Sequence, residues 1–170
     1  MSLAADRGPA VVHPARVAEA TVAPLGYSGI VTRAIAFAID ALLIQFVAIA
    51  VAGTFALILS VLSPSDRFDS VIVVVGSVAY VLWLVGYFVF FWSTTGQTPG
   101  NRLLEIRVCR AADGEPVGLG AAVLRFIGLI LAALPFFLGF LPILLDDRRR
   151  GLQDMLAGTV VVPAPPPSAQ

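Results

Sequence analysis

IVTRAIAFAIDALLIQFVAIAVAGTFALILSVL, residues Ile30 to Leu62, decides the fold: from Ala41 to Ser65 the chain carries no charged side chain. A helix needs about 20 apolar residues to cross roughly 30 Å of hydrocarbon, and this run exceeds that. A second run, Val71 to Trp92, is equally free of charge and holds Trp83, Tyr87 and Trp92 toward its end. Its opening, Val71 to Val75, has strand propensity in water. In lipid an isolated strand leaves its peptide groups unsatisfied, so a helix is expected. Ser63–Asp69 between the runs reads as a short polar turn, and the pair as a helical hairpin. The aromatic group reads as a membrane-interface belt, with Trp92 at the boundary.

Composition agrees. Of 170 residues 58% are hydrophobic and only 13% charged, about half the charge of an ordinary soluble domain. That excludes a soluble enzyme of ordinary surface, a disordered chain and a disulfide scaffold. Eleven Arg, with no Lys, balance eleven Asp and Glu, so no nucleic-acid partner is expected. Residues 1–25, with Pro9, Pro14 and Pro24, read as a flexible cytoplasmic tail without the apolar run of a cleaved leader, and 163–170 as a Pro-rich tail.

A third apolar stretch, Phe126 to Leu145, is interrupted by Pro135, Gly139 and Pro142. It fits either one kinked span or two half-length helices in a re-entrant hairpin. Arg102, Arg107, Arg110 and Arg125 precede it and Arg148, Arg149 and Arg150 follow it. Positive-inside bias keeps both sets in the cytoplasm only if the stretch returns to its own side, so re-entrance is favoured. Glu105–Arg110 alternates like a strand, and Gly158–Val162 is the only other good strand candidate. A lone strand is unstable, so these two are expected to pair, which also requires both on one face. The architecture is then an all-α membrane protein: two transmembrane helices, a Pro-broken third segment (re-entrant or a third span) and a small cytoplasmic two-strand cap.

Few residues carry chemistry. Arg33 and Asp40 lie seven apart, on one face of the first helix. A carboxylate at the centre of a span costs about 2.5–3.5 kcal/mol, so Asp40 must face protein, water or a cation. One reading makes it a cation or proton site; the other leaves it solvated at the interface. Arg33 reads by default as a snorkelling anchor. The two side chains both lean toward the helix N-terminus, so Asp40 is expected to find its partner elsewhere, with Arg125 the best candidate. Gln45 is a further polar group able to bond a neighbour. Asp154 reads as structural rather than catalytic, either a surface or capping carboxylate near the membrane face or an ion-pair partner of Arg102 or Arg125. Ala34, Ala36, Ala38 and Ala41 offer a small-residue surface for close helix packing. Cys109 reads as a small apolar filler, and His13, the single His, lies in the tail, so no metal site, cofactor or catalytic role is expected. The Arg148–Arg150 cluster reads as a topology determinant, or more weakly as a contact to anionic lipid.

Three ordered motifs carry a resemblance. Tyr27-Ser-Gly29 with Arg33-Ala-Ile-Ala36 and Ile39-Asp40 is similar to the opening of the RDD family of bacterial membrane proteins, named for one Arg and two Asp. Gly96-Gln-Thr-Pro-Gly100, Arg102-Leu-Leu, Ile106-Arg-Val and Asp113-Gly114 resemble its central segment. Arg150-Gly-Leu-Gln-Asp154 through Val162 resembles its closing motif. The resemblance covers about residues 26–162 and implies that Arg33, Asp40 and Asp154 are the naming residues, with Asp40 inside the membrane. Asn101 stands where the family often has Lys, Gln153 where it often has His, and Glu105 where it often has Gly; the last is expected to be tolerated on a solvent-facing strand position. The resemblance implies a multi-pass protein of the bacterial inner membrane, and positive-inside bias, with Arg7, Arg16 and Arg33 on the N-terminal side against Arg67 alone in the turn, puts the N-terminus in the cytoplasm. It further implies either a transporter, exchanging monovalent cations for protons as a homo-oligomer, or an accessory subunit beside partner membrane subunits.

Overall fold

The computed structural model describes residues 26–62 and 69–164. The tail at 1–25, most of the turn at 63–69 and residues 165–170 lie outside them. Helix α1 spans Ile30–Leu62, 33 residues or about 50 Å of rise. Helix α2 spans Asp69–Thr94 and takes in the β-branched run. Both are long and apolar enough to cross a membrane. They run antiparallel: Phe37 stacks on Phe88 with ring centroids 5.7 Å apart, and the Tyr80 hydroxyl donates to Gln45 Oε1 at 3.3 Å. Contact concentrates at the start of α1 and the end of α2, where Ala36, Asp40, Ile44, Tyr87, Phe88 and Trp92 are buried. Beyond Gln45 the apolar side chains of α1 are exposed except for half-buried Val47, Ala48 and Leu59, as are those of α2 before Leu84 except for Ile72.

A folded cap sits against that buried end. After α2, Gly96 takes φ +69°, and a Cβ there would lie 2.5 Å from the Val108 carbonyl oxygen. Thr98 then caps helix α3 (Pro99–Leu103), its hydroxyl accepting the Asn101 N–H at 3.2 Å, with Pro99 in the first turn where its missing N–H costs nothing. Strand β1 (Ile106–Arg110) pairs antiparallel with β2 (Thr159–Pro163), Val108 opposite Val161. The expected pairing is therefore present, displaced by one residue at each strand, and Pro163 ends β2 rather than opening a tail. A two-stranded ribbon is marginal by itself. Here one face rests on Trp92, Phe126 and Val117, while Cys109, Val160 and Val162 on the other face meet Tyr27 and Ala111. Cys109 is thus the apolar filler expected, and its burial pushes the thiol pKa up.

The third apolar stretch is not one helix. Helix α4 begins earlier than expected, at Leu119, and stops at Ala133 just before Pro135. Phe136 and Phe137 take left-handed φ of 49° and 63° and reverse the chain. A 3₁₀ turn (Leu138–Phe140) and the four-residue helix α5 (Pro142–Leu145) bring it back along α4. The hairpin is uneven, one helix of 15 residues and a short return, rather than two equal halves. Helix α6 (Leu152–Ala157) then crosses α4 at Gly128, whose missing side chain admits the Gln153 backbone, before Gly158 turns into β2.

Glu105 corrects an expectation. It precedes β1 rather than lying on it and adopts φ +51°, a region that costs a side chain about 1–2 kcal/mol. Glu105→Gly is therefore expected to stabilise the fold by up to about 1 kcal/mol, measured by thermal unfolding in detergent. The hairpin gives the opposite case: a Cβ on Gly139 would lie 2.6 Å from Ala132 Cβ. Gly139→Val should cost about 1–3 kcal/mol in the same assay, whereas Gly120→Ala, with open space around it, should be neutral or slightly stabilising.

Candidate functional site

Two carboxylates hold the cap to the hairpin, and each is closed by its own set of donors. Asp154 is fully buried on α6. Its Oδ2 takes Arg33 Nη1 from the first turns of α1 at 2.5 Å, and its Oδ1 takes Arg125 Nη1 from α4. The Gly151 N–H donates to Oδ2 at 3.0 Å, so the carboxylate also closes the start of α6. Arg125 Nη1 reaches the Thr159 hydroxyl at 2.6 Å, linking β2 to the cluster, and its guanidinium lies 4.9 Å from the centre of the Trp92 ring. Burial pushes the Asp154 carboxyl upward, but the Arg125 and Arg33 charges pull it further down, so it titrates below the usual carboxylate range.

Asp40 belongs to a separate knot. Its Oδ1 accepts the Tyr87 hydroxyl and the Gly100 N–H, both at 2.8 Å, and its Oδ2 accepts the Thr98 hydroxyl at 2.5 Å. Gly100 packs so closely on α1 that a Cβ would overlap the Ala36 carbonyl and lie 2.9 Å from Asp40 Cγ. Asp40 is thus buried in protein, with O–H and N–H groups, rather than a guanidinium, as its partners.

The four residues singled out from the sequence therefore gather at one end of the hairpin, in different pairings from those expected. Arg125 serves Asp154, as one expectation had it, and not Asp40. Arg33 is no snorkelling anchor: its side chain is 11% exposed and ion-paired across 121 positions. Arg102 is exposed and takes no part. Trp92 and Tyr87 are core groups rather than an interface belt, because Asp40 and Arg125 give their polar edge and ring face partners inside the protein. Of the four alanines, Ala36 permits a close approach, and it is to α3 of the same chain. Tyr87 was noticed only as part of the aromatic belt, and the parts played by Thr98 and Thr159 escaped notice. Thr98 had a legible signal, a helix cap followed by Pro, but its bond to Asp40 had none.

Near both clusters, between α1, α4 and the returning hairpin, lies a mainly apolar cleft of about 460 Å³. Arg33, Asp40, Arg125 and Gln153 border it, as do Phe137 and Leu144. Asn101, like Gln153 a departure from the motif's usual residue, also borders it.

The site and fold define a small helical protein with two helices of membrane-spanning length and a compact Arg–Asp-tied cap. Residues 27–158 match the model of the RDD family, and the chain belongs to it. It is 36% identical over 89 residues to a proline-rich antigen homolog of Mycobacterium tuberculosis, an alignment covering 52% of this chain and 36% of that protein. Over 85 residues it is 33% identical to the proline-rich antigen of Mycobacterium leprae, covering 50% and 33% of the two chains. An uncharacterized protein of Haemophilus influenzae is 37% identical over 93 residues, 52% of this chain and 56% of that one. The alignment thus spans about a third of the length of the mycobacterial relatives. No solved structure matches.

Removing the Asp154 charge leaves two guanidiniums buried without their counter-ion. Asp154→Asn is expected to cost about 3–5 kcal/mol in thermal or denaturant unfolding. Because the folded-state pKa is depressed, the wild-type contribution is complete above about pH 4 and is lost as pH falls below that toward the native value. The mutant should lack that acid-side loss.

Proposed function

We propose that this RDD-family chain is an accessory or scaffold subunit of the bacterial inner membrane, one that transports nothing by itself. Its cap faces the cytoplasm and its apolar helices meet partner membrane subunits or further copies of the chain. The observation that carries this reading is the state of Asp40. A carboxylate that trades a proton for a monovalent cation needs acceptor oxygens around it and room for the ion. Asp40 instead receives two O–H groups and one N–H, against a glycine packed onto the α1 backbone. Asp154 is likewise spent on two guanidiniums.

Two features support the membrane placement. The parts of α1 and α2 that the protein leaves mostly uncovered, α1 beyond Gln45 and α2 from Ser70 to Trp83, carry no charged side chain. Every Arg among the described residues lies on the first turns of α1, on the cap or at the foot of the hairpin, and positive-inside bias assigns that end, with the N-terminus, to the cytoplasm. On this reading 134–145 is re-entrant, held by buried Ile143 and by Gly139 packed on Ala132, with most of its Phe and Leu side chains turned outward. No catalytic step, metal or cofactor enters the proposal. Cation/proton exchange by an oligomer keeps one observation in its favour: the cleft reaches Asp40.

The test is proton-coupled flux of Na⁺, Li⁺ and K⁺ in proteoliposomes of the purified chain, beside Asp40→Asn and native co-purification. The expected outcome is no flux above empty liposomes from well-folded protein, with a stoichiometric membrane partner recovered. Cation-dependent proton movement that disappears in Asp40→Asn, with assembly intact, would overturn the accessory reading in favour of exchange.

A further inference from the structure

Away from the cap, α1 and α2 share a polar link that the two carboxylate knots do not explain. The Tyr80 hydroxyl donates to Gln45 Oε1 at 3.3 Å, and both side chains stand on the outside of the protein, Tyr80 at 40% exposure and Gln45 exposed as well. Tyr80 lies ten residues into the charge-free span that begins at Ser70. That is about 15 Å of rise, half of the roughly 30 Å of hydrocarbon. No water is at hand at that depth to take up an unmet donor.

Hydroxyl groups on the same spans are answered within their own helix. Thr54, Ser60 and Ser77 donate to the carbonyls of Ala50, Leu57 and Val73. The Gln45 amide is not answered in this way. Its Oε1 has one of two acceptor positions filled, and neither N–H of Nε2 meets an acceptor among the described residues. The surface beside it admits a close approach. Gly76 lies one turn before Tyr80 on the same face of α2, and a Cβ added there would meet nothing within 4 Å.

We infer that two copies of the chain pair side by side in the membrane, each Gln45 amide donating an N–H to the Oε1 of the other. Depth and the chemistry of the amide select a second copy as the occupant. Copies inserted the same way hold Gln45 at one level, so the residue meets itself across a two-fold axis along the membrane normal. An amide carries both a donor and an acceptor, so one reciprocal pair gives each copy what it lacks. Bonds of this kind beside a small residue drive helices together where apolar contact has no advantage over lipid. The inference rests on the membrane placement proposed above and not on the accessory role, since a carrier would pair in the same way.

Sedimentation equilibrium of the full chain in density-matched neutral micelles reads the association. A reversible monomer–dimer equilibrium is expected, with its dissociation constant raised about ten-fold by Gln45→Leu. Tyr80→Phe breaks the link within the chain but leaves the amide, and the dimer is expected to persist. Gly76→Leu crowds the approach while finding open space in its own chain, so the dimer should weaken with the melting temperature unchanged. Wild type that stays monomeric at every concentration overturns the inference, as does a dimer that Gln45→Leu leaves equally tight. A dimer lost to the same degree in Tyr80→Phe overturns the amide pair and assigns both residues to the hairpin alone. Were Gln45→Leu to misfold, Gly76→Leu against wild type still decides. Alkaline extraction of the bacterial membrane checks the placement separately: chain released to the supernatant sinks the placement, whereas chain retained but monomeric sinks only the pairing.

Discussion

Asp154, held between Arg33 and Arg125, is the contact on which the rest of the structure depends. The three side chains come from the first turns of α1, the first half of α4 and the short helix α6. Thr159 joins through Arg125, which attaches β2 and through it the whole strand pair. Taking three charges out of water is expensive, and a buried pair of this kind contributes less to net stability than to choosing one arrangement over others. What it chooses here is which part of a long apolar helix the cap grips.

The helices were legible because their signal is compositional: long charge-free runs need no partner to be recognised. The β1–β2 pairing was legible for a similar reason, since the chain offers only two good strand candidates outside the apolar runs. The Pro135–Pro142 stretch declared that it would break, but not how, because the reversal rests on Phe136 and Phe137, whose left-handed backbone no residue type announces. Arg33, Asp40, Arg125 and Asp154 were legible as residues, because charge inside apolar sequence must be answered. Their pairing was not. Arg33 and Asp40 are neighbours on one helix, yet Arg33 reaches 121 positions along the chain and Asp40 reaches α2 and α3. Only the folded cap decides which guanidinium meets which carboxylate.

Tyr87 and Trp92 show where reading the aromatic residues as an interface belt misled. Aromatic residues near the end of an apolar run are ordinarily interfacial, with the polar edge turned to the head groups. In this protein the end of α2 is covered by the start of α1 and by α4, so the same amphipathic rings turn inward and meet Asp40 and Arg125. Trp83, about one turn before Tyr87, remains 43% exposed.

The two carboxylate knots answer a problem peculiar to α1. A helix apolar on all sides carries no preferred face and no preferred depth, so in lipid it is free to rotate and to slide. At about 50 Å, α1 is also longer than the hydrocarbon it would cross, which leaves several residues of slack. One anchor would fix depth and leave rotation soft. Arg33 and Asp40 are two turns apart on nearly the same face, and each is bound to a different part of the cap, Arg33 to α6 and Asp40 to α3. Two points on one line of the helix fix its depth and its rotation together. The close contact of Gly100 on Ala36 between them leaves no room for a shifted register. The Arg and the two Asp act as one clamp: Asp154 comes from the far end of the chain to meet Arg33, and Asp40 holds the middle segment while the long apolar remainder of α1 stays uncommitted.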